Sequence, residues 1–417
     1  LGVDYGLFRG FIDDFNLVPE SRSAKFTFTD ALDKIRQTSI STVLYQGIRT
    51  GDAIHAVLDA VGWPTADRDI DAGGTVIQYW WGEDDAGTEI EKIVNSEGPP
   101  ALVSVDAAGK FMFRDRHHRL QRSASLTNQV TFRSGTMGAL PWFSPPLGYA
   151  HGARDVINSV SFQVDVRVAG GELETVWQSS GIISVDDGET VDVTMQASDP
   201  FMGAITPEEF VDYQTIVGTV SCSLSRTSGR VATLSVTGVG GPAVIEKIGV
   251  RAYSIPVGYT IKVDVEDTAS TTKYGEKTWP TDAPWAGPHD ALALASLIVG
   301  QRAERLPIVT LKLVNFNDTN TTQMLTRDLS DRITVVDSLV GLNTQMFIER
   351  ISHSIRGAGS QIHETQFGCE KVPAAQGNFI IGTSLLNTGT LRTSGIDDPT
   401  TMFVVGTSVL NTGVLVF

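Results

Sequence analysis

Apolar residues change their spacing along the chain, and each change predicts a different element. "LFRGFIDDF" (7–15) and "KFTF" (25–28) read as two strands joined across a Pro-Glu-Ser turn, with Phe26 and Phe28 alternating onto one face. The period then lengthens. "TDALDKI" offers Thr29 or Asp30 as an N-cap, with Ala31, Leu32 and Ile35 on one side of a helix. In "TGDAIHAVLDAVGWP", Ile54, Val57, Leu58 and Val61 fall at i, i+3, i+4 and i+7, a stripe that must be buried. Gly62 and Pro64 bring that helix to an end. "DDAGTEIEKIVNSEGPP" repeats the scheme with Ile90, Ile93 and Val94 inside, and "ALVSVDAAGKFMFRDR" reads as a hairpin. Residues 30–118 are therefore expected to form one small α/β domain.

From Ser123 to about Thr260 the spacing returns to two. Val160, Phe162, Val164, Val166 and Val168 share a strand face, and "GIISVDDGETVDVTM" and "VSCSLSRTSGRVATLSV" read as hairpins around Asp-Asp-Gly and Ser-Gly turns. "DALALASLIVGQRAE" predicts a further helix capped by Asp290. Four strand candidates follow, "PIVTLKLVNF", "DRITVV", "MFIERISHSI" and "HETQFGCEKV", a set that suits a small antiparallel barrel.

The chain ends on a repeat. "FIIGTSLLNTGTL" from Phe379 returns as "FVVGTSVLNTGVL" from Phe403, each copy an apolar run, a Gly-Thr-Ser kink and an Asn-Thr-Gly turn. Catalysis has no use for such a tandem, whereas a pairing surface does. Phe379, Ile381, Leu385, Leu386, Phe403, Val405, Val409 and Leu410 are the residues expected to carry self-association or pairing with a partner.

Length and charge narrow the function. At roughly 150 residues per domain, 417 residues suggest about three domains. The longest apolar run, Ala291 to Gly300, is too short for a bilayer helix, so stable membrane insertion is not expected. A net charge of −16, from 32 basic and 48 acidic residues, opposes wrapping or sequence-specific binding of nucleic acid. It is compatible with DNA sliding past a like-charged wall. Opening on Leu1 rather than Met, the numbering is expected to lack genuine N-terminal sequence. Cys222 and Cys369 lie far apart and read as free buried thiols.

Candidate chemistry is sparse. Asp67, Asp69 and Asp71 have the first spacings of a calcium loop, but Ala72 and Gln78 stand where that loop needs Gly and a bidentate Glu, so a solvated turn is expected. His117 and His118 are adjacent and read as an exposed strand end rather than a zinc pair. Spacing alone leaves open a distal cluster drawn from His151, His289, His353 and His363. Trp80 and Trp81 are expected on a strand with one ring buried. "WPTDAPWAGPHD" (279–290) is aromatic-rich among polar groups, a composition that can bind sugars. No nucleophile elbow, Walker loop or dinucleotide fingerprint is present, so neither catalysis nor a cofactor or metal is expected.

Several stretches, in this order, resemble the tail-tip (baseplate) hub proteins of tailed bacteriophages, often called minor tail proteins. They are "LFRGFIDDF", "DAIHAVLDAVGWPTADRDIDAGG", "GTEIEKIVNSEGPPALVSVDAAGKFMFRDRHHR", "DVINSVSF", "ASTTKYGEKTW" and "LSDRITV…MFIERISHSI…HETQFGCE", together spanning roughly residues 1–372. The resemblance implies a β-dominated α+β chain with two hub β-barrels and insertion domains between them. On that scheme 1–29 is a remnant of the first barrel, 30–118 an α/β insertion and 119–262 a β-rich insertion. Residues 263–372 are a helix plus the second barrel, and 373–417 a C-terminal β-repeat extension that the family pattern does not require. It further implies a homotrimeric ring at the distal end of the virion tail, assembled in the host cytoplasm. Its partners would be the distal tail or tail-tube protein, a tip fibre or spike and the tape measure protein. Two rival readings stand beside it: a carbohydrate-binding tail adhesin and a tail-associated cell-wall hydrolase.

Overall fold

The computed structural model describes residues 6–134, 141–356 and 362–373. The chain is β-dominated and divides into two compact units. One takes the chain up to Arg116 with Ser159–Thr271 and Glu276–Val299; the other takes His117–Asn158, Thr272–Gly275 and the chain from Gly300 onward.

The first unit holds the α/β stretch. Asp30 caps the helix Ala31–Arg36 by accepting from the Leu32 and Asp33 amides, and Asp85 caps Ala86–Glu97 through Thr88. The helix Thr50–Ala60 buries Ile54, Val57 and Leu58, and its exit runs through Gly62 at φ +72°, a left-handed conformation that glycine adopts without a steric penalty. Ile90 and Ile93 of the Ala86–Glu97 helix join them in one core with Trp80, Phe111 and Phe113. The hairpin of Leu102–Val105 with Phe111–Arg114 forms as expected, and Arg68–Ile70 adds a parallel strand beside it.

A six-stranded sheet is organised by one long strand, Val231–Ser254. Tyr213–Arg226 pairs with it as the hairpin "VSCSLSRTSGRVATLSV" predicts. "GIISVDDGETVDVTM" does not close on itself: Ile183–Val185 and Thr190–Gln196 each pair with the long strand instead. Opposite them the long strand presents Ile245 to Ile183, and Ala232, Leu234 and Val236 to Met195, Val193 and Val191, all four of these long-strand residues wholly buried. A separate ribbon pairs Ser159–Arg167 with Val257–Glu266, burying Val160, Phe162 and Val164.

The second unit contains a closed barrel, in the order Ile308–Val314, Ile362–Lys371, Leu342–Arg356, Arg332–Asp337, Val130–Ser134 and Trp142–Ala150. Four of its strands are those read from the sequence; the other two come from the stretch 130–150. The barrel is not purely antiparallel, because Val130–Ser134 runs parallel to both of its neighbours. Phe132, Phe143, Leu311, Ile333, Val335, Met346, Ile348 and Phe367 fill its interior. The helix predicted to begin at Asp290 begins at Pro288, where a missing N–H costs nothing in the first turn. No helix among the described residues is long and apolar enough to cross a membrane.

Candidate assembly surface and polar clusters

The N-terminal hairpin pairs Phe11–Val18 with Ser23–Thr29. Its register sets Ile12 opposite Phe28, Phe15 opposite Phe26 and Leu17 opposite Ala24. A bulge between Ile12 and Asp14 keeps Ile12 on the side of Phe15, so all six residues share one face. Asp14, Asn16, Lys25 and Thr27 take the other. Ile12, Phe15, Leu17, Phe26 and Phe28 are each between 50% and 62% exposed. Phe15 and Phe26 stack at 6.4 Å between centroids, and Phe28 lies 6.3 Å from Phe26, so the rings form a continuous apolar strip. The hairpin thus has the division of a core strand pair, with nothing among the described residues covering its apolar side.

The titratable clusters are structural knots. Glu97 is wholly buried; it accepts from Thr50 Oγ1 at 2.7 Å, from the Gly74 and Thr75 amides at 2.9 Å and from the Arg116 amide at 3.2 Å. Burial alone would raise its pKa, but the Thr50 hydrogen bond, the Arg116 charge and the two amides outweigh it and hold the carboxyl below its ordinary value. So committed a carboxylate has no lone pair to spare for proton transfer. Gly73, at φ +86°, makes this turn possible: a Cβ there would lie 2.0 Å from Thr50 Oγ1.

Two of the aspartates of "DRDIDAGG", Asp69 and Asp71, flank the Arg114 guanidinium. Arg114 Nη1 donates to Asp69 Oδ1 at 2.9 Å and to Asp71 Oδ1 at 3.2 Å, which fills the position a divalent ion would occupy. The expected solvated turn is present as the single helical turn Thr65–Asp67, followed by the short strand Arg68–Ile70 with Asp69 still exposed; what the sequence did not show is the pairing with Arg114. His117 and His118 are not an exposed strand end either: His118 is buried at the start of a short helix, its Nε2 2.7 Å from the Ser330 hydroxyl. Both Trp80 and Trp81 are buried rather than one; Trp80 packs on Tyr45, and Trp81 meets Trp285 edge-on beneath Arg167.

Of the four distal histidines, the barrel brings two together. His353 Nδ1 lies 3.0 Å from His363 Nε2 and 2.8 Å from Thr365 Oγ1. Burial lowers both imidazole pKa values, and the charge of His363 lowers that of His353 further. Among the described residues no three His, Cys, Asp or Glu side chains are placed to hold a metal. Cys222 is half-buried and Cys369 buried, both as free thiols, and burial raises the pKa of each. Phe379, Ile381, Leu385, Leu386, Phe403, Val405, Val409 and Leu410 lie outside the described residues. Sequence reading named Phe26 and Phe28 as one strand face but missed the strip they complete, since the bulge that recruits Ile12 leaves no sequence mark.

The architecture is that of a β-rich chain holding a closed barrel and an amphipathic hairpin with an open apolar face. No protein-family profile and no curated protein matches it. Among solved structures the chain is similar to a 43 kDa tail protein of prophage MuSo2 from Shewanella oneidensis, at 13% identity and a TM-score of 0.42, covering 87% of this chain and 79% of that one. It is similar to a tail protein from Neisseria meningitidis MC58 at 10% identity and a TM-score of 0.46, covering 88% and 80%. It is also similar to a prophage tail protein from Listeria monocytogenes EGD-e at 6% identity and a TM-score of 0.38, again covering 88% and 80%.

Proposed function

We propose that this chain is a structural hub of a phage tail tip. Three copies close into a ring by heterologous contacts, join the quasi-sixfold tail tube to threefold tip components, and leave a central opening for DNA. The observation that carries the reading is the exposed strip of the N-terminal hairpin, supported by the ordered sequence resemblance over 1–372. An isolated two-stranded hairpin is at best marginally stable in water, so an amphipathic one is built to be covered. Covering five half-exposed Phe, Leu and Ile side chains is worth on the order of 5 kcal/mol, enough to bias association. The strip joins the sheet of a neighbouring element in the assembled ring.

The role is mechanical and assigns no residue to catalysis. Part of the acidic excess behind the net charge of −16 lines the opening, so that DNA slides without being held. The terminal repeats, two per chain and therefore six per ring, pair with a tip fibre by strand addition. Removing residues 376–417 is expected to leave trimers intact, as read by native mass spectrometry, and to strip the fibre from purified particles. Particles that keep their fibre after the deletion would refute the role of the repeats, and a full-length chain that stays monomeric at micromolar concentration would refute the ring.

A further inference from the structure

The ribbon of Ser159–Arg167 with Val257–Glu266 has a second, polar face, and a segment of chain stands against it. Thr278 bridges to Ser159, the Trp279 amide donates to the Ser159 carbonyl at 2.9 Å, and Asp282 Oδ1 accepts from the Gln163 amide at 3.3 Å. Between ribbon and segment lies an open groove of about 400 Å³. Ser161, Gln163, Thr260 and Lys262 form its floor, and the chain from Trp279 to Asp282 its wall.

The lining has a distinct chemistry. Trp279 is half-buried and is the groove's aromatic surface. Its indole N–H, the Gln163 side-chain amide and the Thr281 hydroxyl have no hydrogen-bond partner among the described residues. Lys262 is the groove's cation and is paired with Asp264, Asp282 stands in the wall, and the Thr260 hydroxyl donates to Asp165 at 2.6 Å, so carboxylates outnumber Lys262 on this face. Gln163 and Lys262 face each other across the ribbon register, and Lys262 is steadied by Asp264 at 3.1 Å. An aromatic face beside uncommitted donors and acceptors, with no excess of cations to hold an anion, suits an uncharged ligand that is apolar on its ring face and hydroxylated at its edge.

We propose that this groove binds a neutral pyranose unit of a glycan. The sugar ring lies against the Trp279 indole, and its hydroxyls exchange hydrogen bonds with Gln163, Thr281 and Lys262. This is independent of the hub reading: a hub without the sugar site and a sugar site on some other tail component are both coherent outcomes.

The test is titration of the full chain with methyl α-glucoside, methyl β-galactoside and N-acetylglucosamine, followed by saturation-transfer NMR and tryptophan fluorescence. At least one should bind saturably with a Kd on the order of 1–10 mM, the scale expected for a single ring of about twelve non-hydrogen atoms. Trp279→Ala should weaken it at least tenfold and Gln163→Ala severalfold. Should Trp279→Ala fail to fold, Gln163→Ala and Thr281→Ala, both at solvent-facing positions, carry the test. Absence of saturable binding to every neutral pyranose, preference for N-acetylneuraminate over all of them, or unchanged affinity in the groove variants would each overturn the proposal.

Discussion

In the barrel strand Ile308–Val314, Val309, Leu311 and Leu313 alternate inward and are wholly enclosed. In the N-terminal hairpin, Phe15, Leu17, Phe26 and Phe28 alternate in the same manner and stand in solvent. Local sequence does not separate the two regions; both carry large apolar residues at every second position. What separates them is closure. Six strands wrapped into a ring leave no open edge and enclose one whole face, whereas two strands alone leave both edges and both faces open. An alternating pattern therefore states that a face will be buried without stating by which chain, and in the proposed ring the hairpin is the place where this chain borrows its cover from a neighbour.

The contrast can be broken most severely at the hairpin. Replacing Phe15 and Phe26 together with Asp should raise the concentration needed for trimer formation at least about a hundredfold, since every interface loses roughly 1 kcal/mol per half-exposed aromatic and must also bury a carboxylate in its place. Sedimentation velocity reads this. The same protein's melting temperature as a monomer should move little, because neither ring is enclosed within the chain. The barrel should behave in the opposite way. Phe367→Ala, beside Phe132 at 6.1 Å between centroids, should cost about 3–5 kcal/mol in denaturant unfolding, because the enclosed site cannot collapse. If the aromatic pair in the hairpin proved as costly to folding as Phe367, the distinction between internal and borrowed burial would be lost.

A smaller effect sharpens the picture inside the barrel. His353 and His363 have folded-state pKa values below the ordinary 6.5, so the unfolded chain binds more protons than the folded one as pH falls past 6.5. Their contribution is complete above 6.5 and is lost progressively as pH drops through the lowered values. Denaturation midpoints measured from pH 7.5 to 5 should fall on the acid side, and His363→Gln should flatten part of that slope. An acid-side midpoint that rises would contradict the assignment.

Much of this was legible in the sequence, for reasons that are local. The caps at Asp30 and Asp85 and the helical stripe at Ile54, Val57 and Leu58 depend on neighbours within a few residues, and they formed where the spacing placed them. So did all four C-terminal barrel strands. Misreadings and omissions arose where a distant partner decided the outcome. Asp69 and Asp71 were met by Arg114 from another strand, His118 was buried by Ser330, and the Asp-Asp-Gly hairpin gave way to a strand some fifty residues downstream. The groove at Trp279 belongs to the same class. Its aromatic stands out in "WPTDAPWAGPHD", but its floor comes from Ser161, Gln163, Thr260 and Lys262, which no spacing connects to it.

The most direct measurement is a cryo-electron microscopy map of the tail tip that contains this chain, traced through residues 11–29. The account predicts three copies in a closed ring, with Ile12, Phe15, Leu17, Phe26 and Phe28 of each copy packed beneath a neighbouring sheet. A single copy, or a ring in which that strip still faces solvent, would contradict it.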